Sequence, residues 1–487
     1  MKTPFITALL ITLSWSLVNG QTAEDALRFS RVLYSGTARY NALGGAFGAV
    51  GADFSTLAVN PAGLGLYTAS EVTFTMAPSV ASASASYNGS TANDNRLNFG
   101  IGNLGLVISN NTAKGNNGIL KSINIGIGLN RQNDFNNRVV IHGVNMNNSM
   151  MQSYANTLNQ KKIDTLALQN GSDPFDLGLA YMANLIGYNK DTKQYFADAA
   201  YGGVGQDKTI TTYGSMNEMD FSVAANFNDK VFVGLTLGIP SINFYESSLY
   251  QEYRVKDTIP NFIALNYRYD LHTHGTGVNL KVGFIYKPAN WVRIGAAIHT
   301  PTWYPSLHDQ YYSSMQSTFD NSSWNSTQYS PIGTYDYVLT TPFRAIGSLA
   351  FIIGQYGLIS ADYEYVNYSQ AQFSAPDDNF STVNNEISSS YKSWGNIRIG
   401  TEWRLSNLRL RGGFGYFSNP YQGQTNNSER YQVSGGLGYR GRHFFADLTY
   451  VWARMNQDYY LYDPSMVNPA RITNHTNTIL TTIGIRF

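Results

Sequence analysis

The sequence predicts an all-β protein: a transmembrane antiparallel β-barrel of about 14 strands, with an N-terminal hatch inside its lumen and short helices in one long extracellular loop. Three observations lead there. Apolar and polar residues alternate with a period of two along most of the chain. The composition is 14% aromatic and only 13% charged, with 45 Gly and 35 Tyr, where a soluble domain carries about 25% charged residues. The connections between alternating stretches are tight turns and long loops in turn, as in outer-membrane barrels.

Taken from the N-terminus, Lys2, the apolar run Phe5 to Val18 and the small residue Gly20 read as a secretory signal peptide over 1–20, cleaved before Gln21. The run is short for a spanning helix, and Ser14 and Ser16 interrupt it. No later stretch reaches the roughly 18 consecutive apolar residues that a spanning helix needs. A membrane form of this chain is therefore a closed barrel. The absence of cysteine removes thiol catalysis, thiolate metal sites, disulfides and a lipidated N-terminal cysteine. A formal net charge of +1 with no Lys/Arg cluster gives no basis for a nucleic-acid partner.

The stretch Ala38 to Tyr67 organises the rest. Glycines at Gly44, Gly45, Gly48, Gly51 and Gly63, with Pro61, preclude a long helix or strand. Such a segment packs irregularly, and its backbone polar groups need partners from whatever encloses it. We therefore expect a hatch over 21–68 and a barrel over 69–487.

Alternation places strands near Ser70–Tyr87, Arg96–Ser109, Ile119–Arg131, Met216–Phe227, Lys230–Tyr250, Phe262–Tyr286 and Trp291–Thr300. It continues through Tyr337–Ile353, Tyr356–Ser369, Tyr391–Arg404, Leu408–Phe417, Tyr431–Tyr439, His443–Arg454 and Thr476–Phe487. Asn228-Asp229, Pro288–Asn290, Gly354-Gln355, Ser406-Asn407 and Gly441-Arg442 read as tight turns, and Asn110–Gly118 as a modest one. Long loops fall at Val144–Ser215, Pro301–Asp336, Gln370–Ser390, Asn419–Arg430 and Met455–His475. In the longest, Met150, Tyr154 and Leu158 follow helical spacing, so short helices are expected over Met150–Leu168 and Phe175–Tyr188.

Facing follows from parity. Asn396, Arg398, Glu402 and Arg404 share one face, and Ile397, Ile399 and Trp403 the other. The same reading puts Lys281, Arg293, Arg344, Asp362, Glu364, Arg409, Arg411 and Asp447 in the lumen. In the last strand Ile479, Ile483, Ile485 and Phe487 point outward.

GGAFGAV followed by NPAGL (Asn60 to Leu64), together with GVNLKVGFIYKPANWVRIGAAIHTP (Gly277 to Pro301) and ADYEYVNYS (Ala361 to Ser369), resembles the FadL-type outer-membrane transporters for long-chain fatty acids and other hydrophobic compounds. The resemblance implies a bacterial outer-membrane location and passive uptake gated by the hatch. It implies ligand-binding or gating roles for Asn60, Pro61, Ala62, Gly63 and Phe47, and a loop groove at Phe175, Met182 and Leu185. A terminal aromatic such as Phe487 resembles the signal read by barrel-assembly machinery. Family members release cargo sideways at a kink in an early strand. Here the strand from Ile123 to Ile141 is interrupted by the polar run Gln132–Asn137, which reads equally as a strand entering its loop.

Other motifs carry less. Gly44-Gly45-x-x-Gly48 lacks the βαβ frame of a dinucleotide site. His272, His274 and His299 have no partner fixed by spacing for a metal. Asp362 and Glu364 are explained by lumen pairing with Arg344 and Arg398 before any acid/base role, and no Ser/His set is brought together by spacing. We expect no enzyme, no cofactor and no metal. The expected partners are hydrophobic small molecules, outer-membrane lipid, barrel-assembly machinery and other envelope proteins. The alternative reading is a non-transporting scaffold barrel of a secretion or barrel-assembly complex. Fatty acids, aromatic hydrocarbons and haem-like compounds all suit an apolar pocket, and the sequence does not choose among them.

Overall fold

The computed structural model describes residues 20–110, 118–199, 202–257, 259–423 and 426–487. Most of the signal-peptide reading and the turn expected at Asn110–Gly118 lie outside them. A closed antiparallel barrel of 14 strands forms the wall. In chain order these are β1 (Glu71–Met76 and Ser79–Tyr87), β2 (Ser90–Asn98 and Ile101–Asn110), β3 (Leu120–Asp134 and Asn137–Asn145), β4 (Val204–Phe227) and β5 (Val231–Arg254). They continue as β6 (Phe262–Thr276 and Asn279–Ala289), β7 (Val292–His299 and Trp303–Phe319), β8 (Gly333–Thr340 and Arg344–Ile353), β9 (Gly357–Asn367) and β10 (Ser393–Leu405). The last four are β11 (Leu408–Phe417), β12 (Arg430–Arg440), β13 (Phe444–Tyr459) and β14 (Ala470–Arg486). Each strand pairs with the next, and β14 pairs with β1 from Glu71↔Arg486 to Ser86↔Arg471. Short strands at Gly187–Asn189, Gln194–Phe196, Ser326–Tyr329 and Gln372–Ser374 are additional.

The wall is amphipathic. Val233, Leu235 and Leu237 of β5, Leu280, Val282 and Phe284 of β6, and Ile397 and Ile399 of β10 are exposed on the outside. Trp291, Tyr356, Trp403, Tyr439 and Phe444 flank this belt at the short-turn rim, and Trp303, Tyr363, Trp394 and Tyr450 flank it on the other side. That is the aromatic-girdled band of a lipid-embedded barrel. Ile479, Ile483, Ile485 and Phe487 are all exposed, on the outward face expected of them. Among the described residues no helix is long and apolar enough to cross a membrane.

Several strands run further than alternation predicts. β4 and β5 are 24 residues each, against the roughly 9–11 needed to cross a bilayer. β7 does not end at Thr300: it breaks at Pro301 and resumes at Trp303. Pro78 and Pro342 mark similar breaks in β1 and β8. Proline removes one ladder donor and bends the strand, but neighbouring strands carry the sheet past it. The long loops are correspondingly shorter than expected.

The segment 150–182 folds as α4 (Met150–Lys161), α5 (Thr165–Gln169) and α6 (Leu177–Met182). Met150, Tyr154 and Leu158 are buried together in an apolar cluster with Leu177, Leu179 and Leu185. Leu185 is 5% exposed and so lines no surface groove, because it packs inward under α6.

The N-terminal segment contains α1 (Ala23–Ser30), α2 (Ala38–Ala42), α3 (Thr56–Val59) and a 3-10 helix (Pro61–Leu66). Its contacts run round the wall. Ala38 N donates to Thr482 of β14, Thr449 of β13 donates to Ala38 O, and Ser434 of β12 donates to Ala42 O. Leu57 O accepts from Thr236 of β5, and Leu64 O from Asn124 of β3. Backbones touch where both sides are glycine: a Cβ on Gly413 of β11 would lie 2.0 Å from Gly44 N. Gly44 itself has φ +62°, open to glycine at little cost.

Gly413→Val is therefore expected to destabilise the protein by about 1–3 kcal/mol through overpacking, lowering the temperature at which the compact barrel unfolds on unboiled gels. Gly412→Ala, with only Thr401 Cγ2 at 4.0 Å from its added methyl, is the neutral control. Equal behaviour of the two variants would refute the close fit.

Candidate functional site: the lining between the N-terminal segment and the wall

α1 begins with a reciprocal cap: Asp25 N donates to Thr22 Oγ1 at 3.3 Å and Thr22 N donates to Asp25 Oδ2 at 3.0 Å. Its buried face, Ala23, Ala26, Leu27 and Phe29, packs into a chamber of aromatic rings. Phe29 meets Phe135 of the β3 break and Phe244 of β5 edge-on, with centroids 6.2 and 5.9 Å away. Tyr304, Tyr337, Phe373, Phe380 and Tyr391 belong to the same cluster. Just before the helix, Gln21 Nε2 donates to Asp309 Oδ2 at 2.9 Å, and Thr273 and Tyr337 donate to Asp309 Oδ1.

The expected lumen charges face inward and form networks. Lys281 bridges Glu218 and Asp220. Glu364 takes Arg344, Arg398 and the Asn396 amide. Glu402 takes Arg411 and Arg39, the latter reaching from α2 at 2.9 Å, and Arg411 continues to Asp447 at 2.7 Å. Buried pairs of this kind are held by multiple hydrogen bonds, and losing one member typically costs 3–5 kcal/mol. Arg409 shares the inward parity but sits half-exposed beside a short turn, donating to Ser406 O and Leu408 O.

Several of these groups bind the backbone of the N-terminal segment. Asp362 Oδ2 accepts from Phe47 N and Gly48 N, each at 2.9 Å. Arg293 donates to Val50 O, Arg344 to Ser30 O, and His299 Nε2 meets Val59 O at 2.9 Å. Phe47 is fully buried, its ring 5.9 Å from that of Tyr40. Burial pushes the Tyr40 phenol up to about 12, against the pull of Arg398, so it stays a neutral hydroxyl.

Asn60 is buried at the joint of α3 and the 3-10 helix. Its Nδ2 donates to Gly48 O at 2.6 Å and Phe284 O at 3.3 Å, and its Oδ1 accepts from Ala62 N. A Cβ on Gly283 of β6 would lie 2.0 Å from Asn60 Oδ1, and one on Gly234 of β5 would lie 2.3 Å from the Pro61 carbonyl. Asn60, Pro61, Ala62 and Gly63 thus press the segment against the wall, away from the cavity described next.

That cavity, of about 140 Å³, runs between Val32–Ser35, Tyr40 and Asn41 of the segment and Arg131, Arg398, Arg430 and Gln432 of the wall. It reaches Ala77 and Ser79 at the break in β1, and Asp134 and Asn136 at the break in β3. Sequence reading missed Arg430, placed at the end of a loop, and Arg131, which stands beside the polar run that marks the β3 interruption.

There the ladder is incomplete. Among the described residues, Ser90–Asn98 of β2 pairs with β1 alone and Asn137–Asn145 of β3 with β4 alone. The two edges are joined by side chains instead: Arg138 to Asp94 at 3.3 Å and Asn98 Nδ2 to Asp134 Oδ2 at 2.6 Å. The interruption at Phe135–Asn136 falls inside the run Gln132–Asn137.

His272 and His274 lie elsewhere, on the outer face above the belt and not in the lumen. They are stacked with Tyr245 and Tyr213 across neighbouring strands. His299 is inside, so the three histidines do not converge. At the long-loop rim Phe175 packs on Tyr311 at 4.7 Å, and Met182 is 41% exposed.

No family model matches the chain, and no curated protein matches it by sequence. Solved structures do. A Pseudomonas aeruginosa FadL homologue aligns with a TM-score of 0.54 at 10% identity, over 94% of this chain and 99% of that one. The Ralstonia pickettii toluene transporter TbuX gives 0.51 at 16%, over 94% and 99%. The Pseudomonas putida toluene transporter TodX gives 0.52 at 12%, over 94% and 100%. The fold is that of the FadL-type channels. At these identities the likeness concerns the fold alone.

Asp362→Ala is expected to leave the amides of Phe47 and Gly48 without an acceptor, at about 1–3 kcal/mol per unsatisfied buried group. Their hydrogen exchange would then accelerate by at least about tenfold, measured by mass spectrometry on the purified barrel. Unchanged exchange would show that this turn is held by other groups.

Proposed function

We propose that the chain is a bacterial outer-membrane channel for passive uptake of hydrophobic molecules, with residues 21–68 as its hatch and a sideways exit through the wall. The observation that carries this reading is the unpaired seam between β2 and β3, lying beside the cavity under the N-terminal segment. A broken ladder leaves backbone groups without their strand partners, so its place beside an internal cavity calls for a use. An apolar solute gains by leaving water, and the end of the seam beside the exposed Leu97 and Phe99, at the edge of the apolar belt, gives it a way out toward lipid.

On this reading the long-loop rim is extracellular and offers Phe175, Met182 and Trp324 as apolar contacts for arriving solute. Next comes the aromatic chamber, which α1 fills. An eight-residue helix is marginal in isolation, so its displacement is the natural opening step. Asn60 to Gly63 act as the anchor about which the hatch pivots, and Phe47 as part of its Asp362-held turn. The leader over 1–20 directs export, Phe487 serves barrel assembly, and no catalytic activity is assigned. Toluene is named for two of the similar structures; neutral aromatics and fatty-acid-like amphiphiles are the cargo classes to compare.

A second reading, a scaffold barrel docked to other envelope proteins, is favoured by the tight filling of the chamber by α1. The two separate in one experiment. The chain has no cysteine, so Asn98→Cys with Asp134→Cys can be bridged across the seam by a reducible bifunctional reagent in proteoliposomes. Bridging is expected to stop influx of toluene or of a fluorescent long-chain fatty acid, and reduction to restore it. Influx indifferent to the bridge would end the sideways exit; no influx under any condition would favour the scaffold.

A further inference from the structure

We propose that a polar pocket on the long-loop rim, between the β1–β2 turn, the end of β3 and the β13–β14 loop, is a binding site for a neutral saccharide. The pocket is a cavity of about 360 Å³ lined by Asn88 and by residues 144–147 and 464–468, within the ~300–1,000 Å³ usual for small-molecule sites. It shares no residue with the cavity beside the N-terminal segment. No charged side chain and no aromatic ring lines it, so neither an ion nor a flat hydrophobic ring finds a counterpart there. The amides of Asn88, Asn145, Asn147 and Asn468 and the Ser465 hydroxyl do line it. A side-chain amide offers a donor and an acceptor side by side, the pairing that two neighbouring sugar hydroxyls match. Met146, 47% exposed, with Pro464 and Met466 supplies apolar surface on which the C–H face of a sugar ring packs.

The pocket is built on a saturated base. Asn145 is 5% exposed: its Oδ1 accepts from Asn147 N at 3.0 Å and Asn148 N at 3.3 Å, and its Nδ2 donates to Tyr462 OH at 2.9 Å. Tyr462 in turn donates to Asn148 Oδ1 at 2.6 Å and accepts from Gln206 Nε2, which also donates to the buried Glu252. Asn148 Nδ2 donates to Met466 O and so ties the end of β3 to the β13–β14 loop. On the exposed side, Asn468 Nδ2 donates to Asn88 Oδ1 at 3.2 Å, and Asn88 Nδ2 donates to Val144 O at 3.1 Å. These bonds fix all three chain segments and still leave capacity for a ligand. Among the described residues the Asn147 amide and Asn468 Oδ1 have no protein hydrogen-bond partner. The Ser465 hydroxyl gives its proton to Asp463 and keeps its lone pairs free to accept. A lining fixed before the ligand arrives loses little freedom on binding. With the long-loop rim outside the cell, two sources of sugar reach the pocket: a free polysaccharide and the glycolipid of the surrounding leaflet. That choice of sources rests on the orientation given above; the pocket itself does not.

The test is calorimetric titration of the full-length barrel in a polyoxyethylene detergent, which carries no sugar. The probes are maltotriose, mannotriose, triacetylchitotriose, the charged trisaccharide trigalacturonate, full-length lipopolysaccharide, and lipid A stripped of its core sugars. Wild type is expected to bind at least one neutral trisaccharide, or full-length lipopolysaccharide in preference to lipid A. Asn147→Ala is expected to weaken that binding by about tenfold. The substitution breaks no hydrogen bond of the protein's own side chains, and unchanged unboiled gel mobility shows that the variant is folded. A neutral trisaccharide held by wild type and lost in Asn147→Ala identifies a free glycan as the ligand; lipopolysaccharide alone, preferred to lipid A and lost in the variant, identifies the glycolipid of the leaflet. The site is refuted if wild type binds no trisaccharide and does not prefer lipopolysaccharide to lipid A, a result that needs no variant. It is equally refuted if trigalacturonate binds more tightly than every neutral probe, or if folded Asn147→Ala binds as wild type does. Solute influx enters none of these readouts, so the channel reading stands or falls separately.

Discussion

Within hydrocarbon no water is present to satisfy backbone N–H and C=O groups, and most of this structure follows from that constraint. It requires the sheet to close, which it does through the pairing of β14 with β1. It also explains why breaks at Pro78, Pro301 and Pro342 leave the barrel continuous: on either side of each break, neighbouring strands resume the ladder. Only between the far halves of β2 and β3 does side-chain bridging replace the ladder among the described residues. The departure is confined to one place on the wall, beside the internal cavity.

Inside, the same demand is met differently. The N-terminal segment has too little regular structure to satisfy its own backbone, so the wall does it. Asp362 accepts two of its amides, while Arg293, Arg344, Asn124 and Thr236 donate to its carbonyls. Recognition of this sort reads backbone rather than side chains, and it needs small residues on both sides. That explains the pairing of a glycine-rich segment with inward-facing glycines on the strands, Gly413 against Gly44 being the closest example. The lumen charges are then the means by which an irregular peptide is held inside a sheet.

Parity reasoning located the strands, their facing and the outward C-terminal residues, because a period of two is a local signal that one buried face enforces. It failed where the cause was not local. Pro301 ended a strand on paper that tertiary pairing carries on to Phe319. Leu185, placed in a surface groove by resemblance, is buried because α4 and α6 close over it. Asn60, given a ligand-binding or gating role by resemblance, uses its amide to hold Gly48 O and, in the wall, Phe284 O. Arg131 and Arg430 are far apart in sequence, and only closure of the ring brings them to one cavity. The aromatic surroundings of α1 come from β3, β5, β7, β8 and the loop after β9, which no local pattern brings together.

The grip on the N-terminal segment also limits how either side of it can vary. Gly44 meets Gly413, and Asn60 meets Gly283, closer than any added methyl would allow, and the segment's hydrogen bonds reach strands on opposite sides of the ring. Peptide and cylinder thus fit only as a matched pair: a bulkier side chain at either face of these contacts would have to be answered by a change on the other.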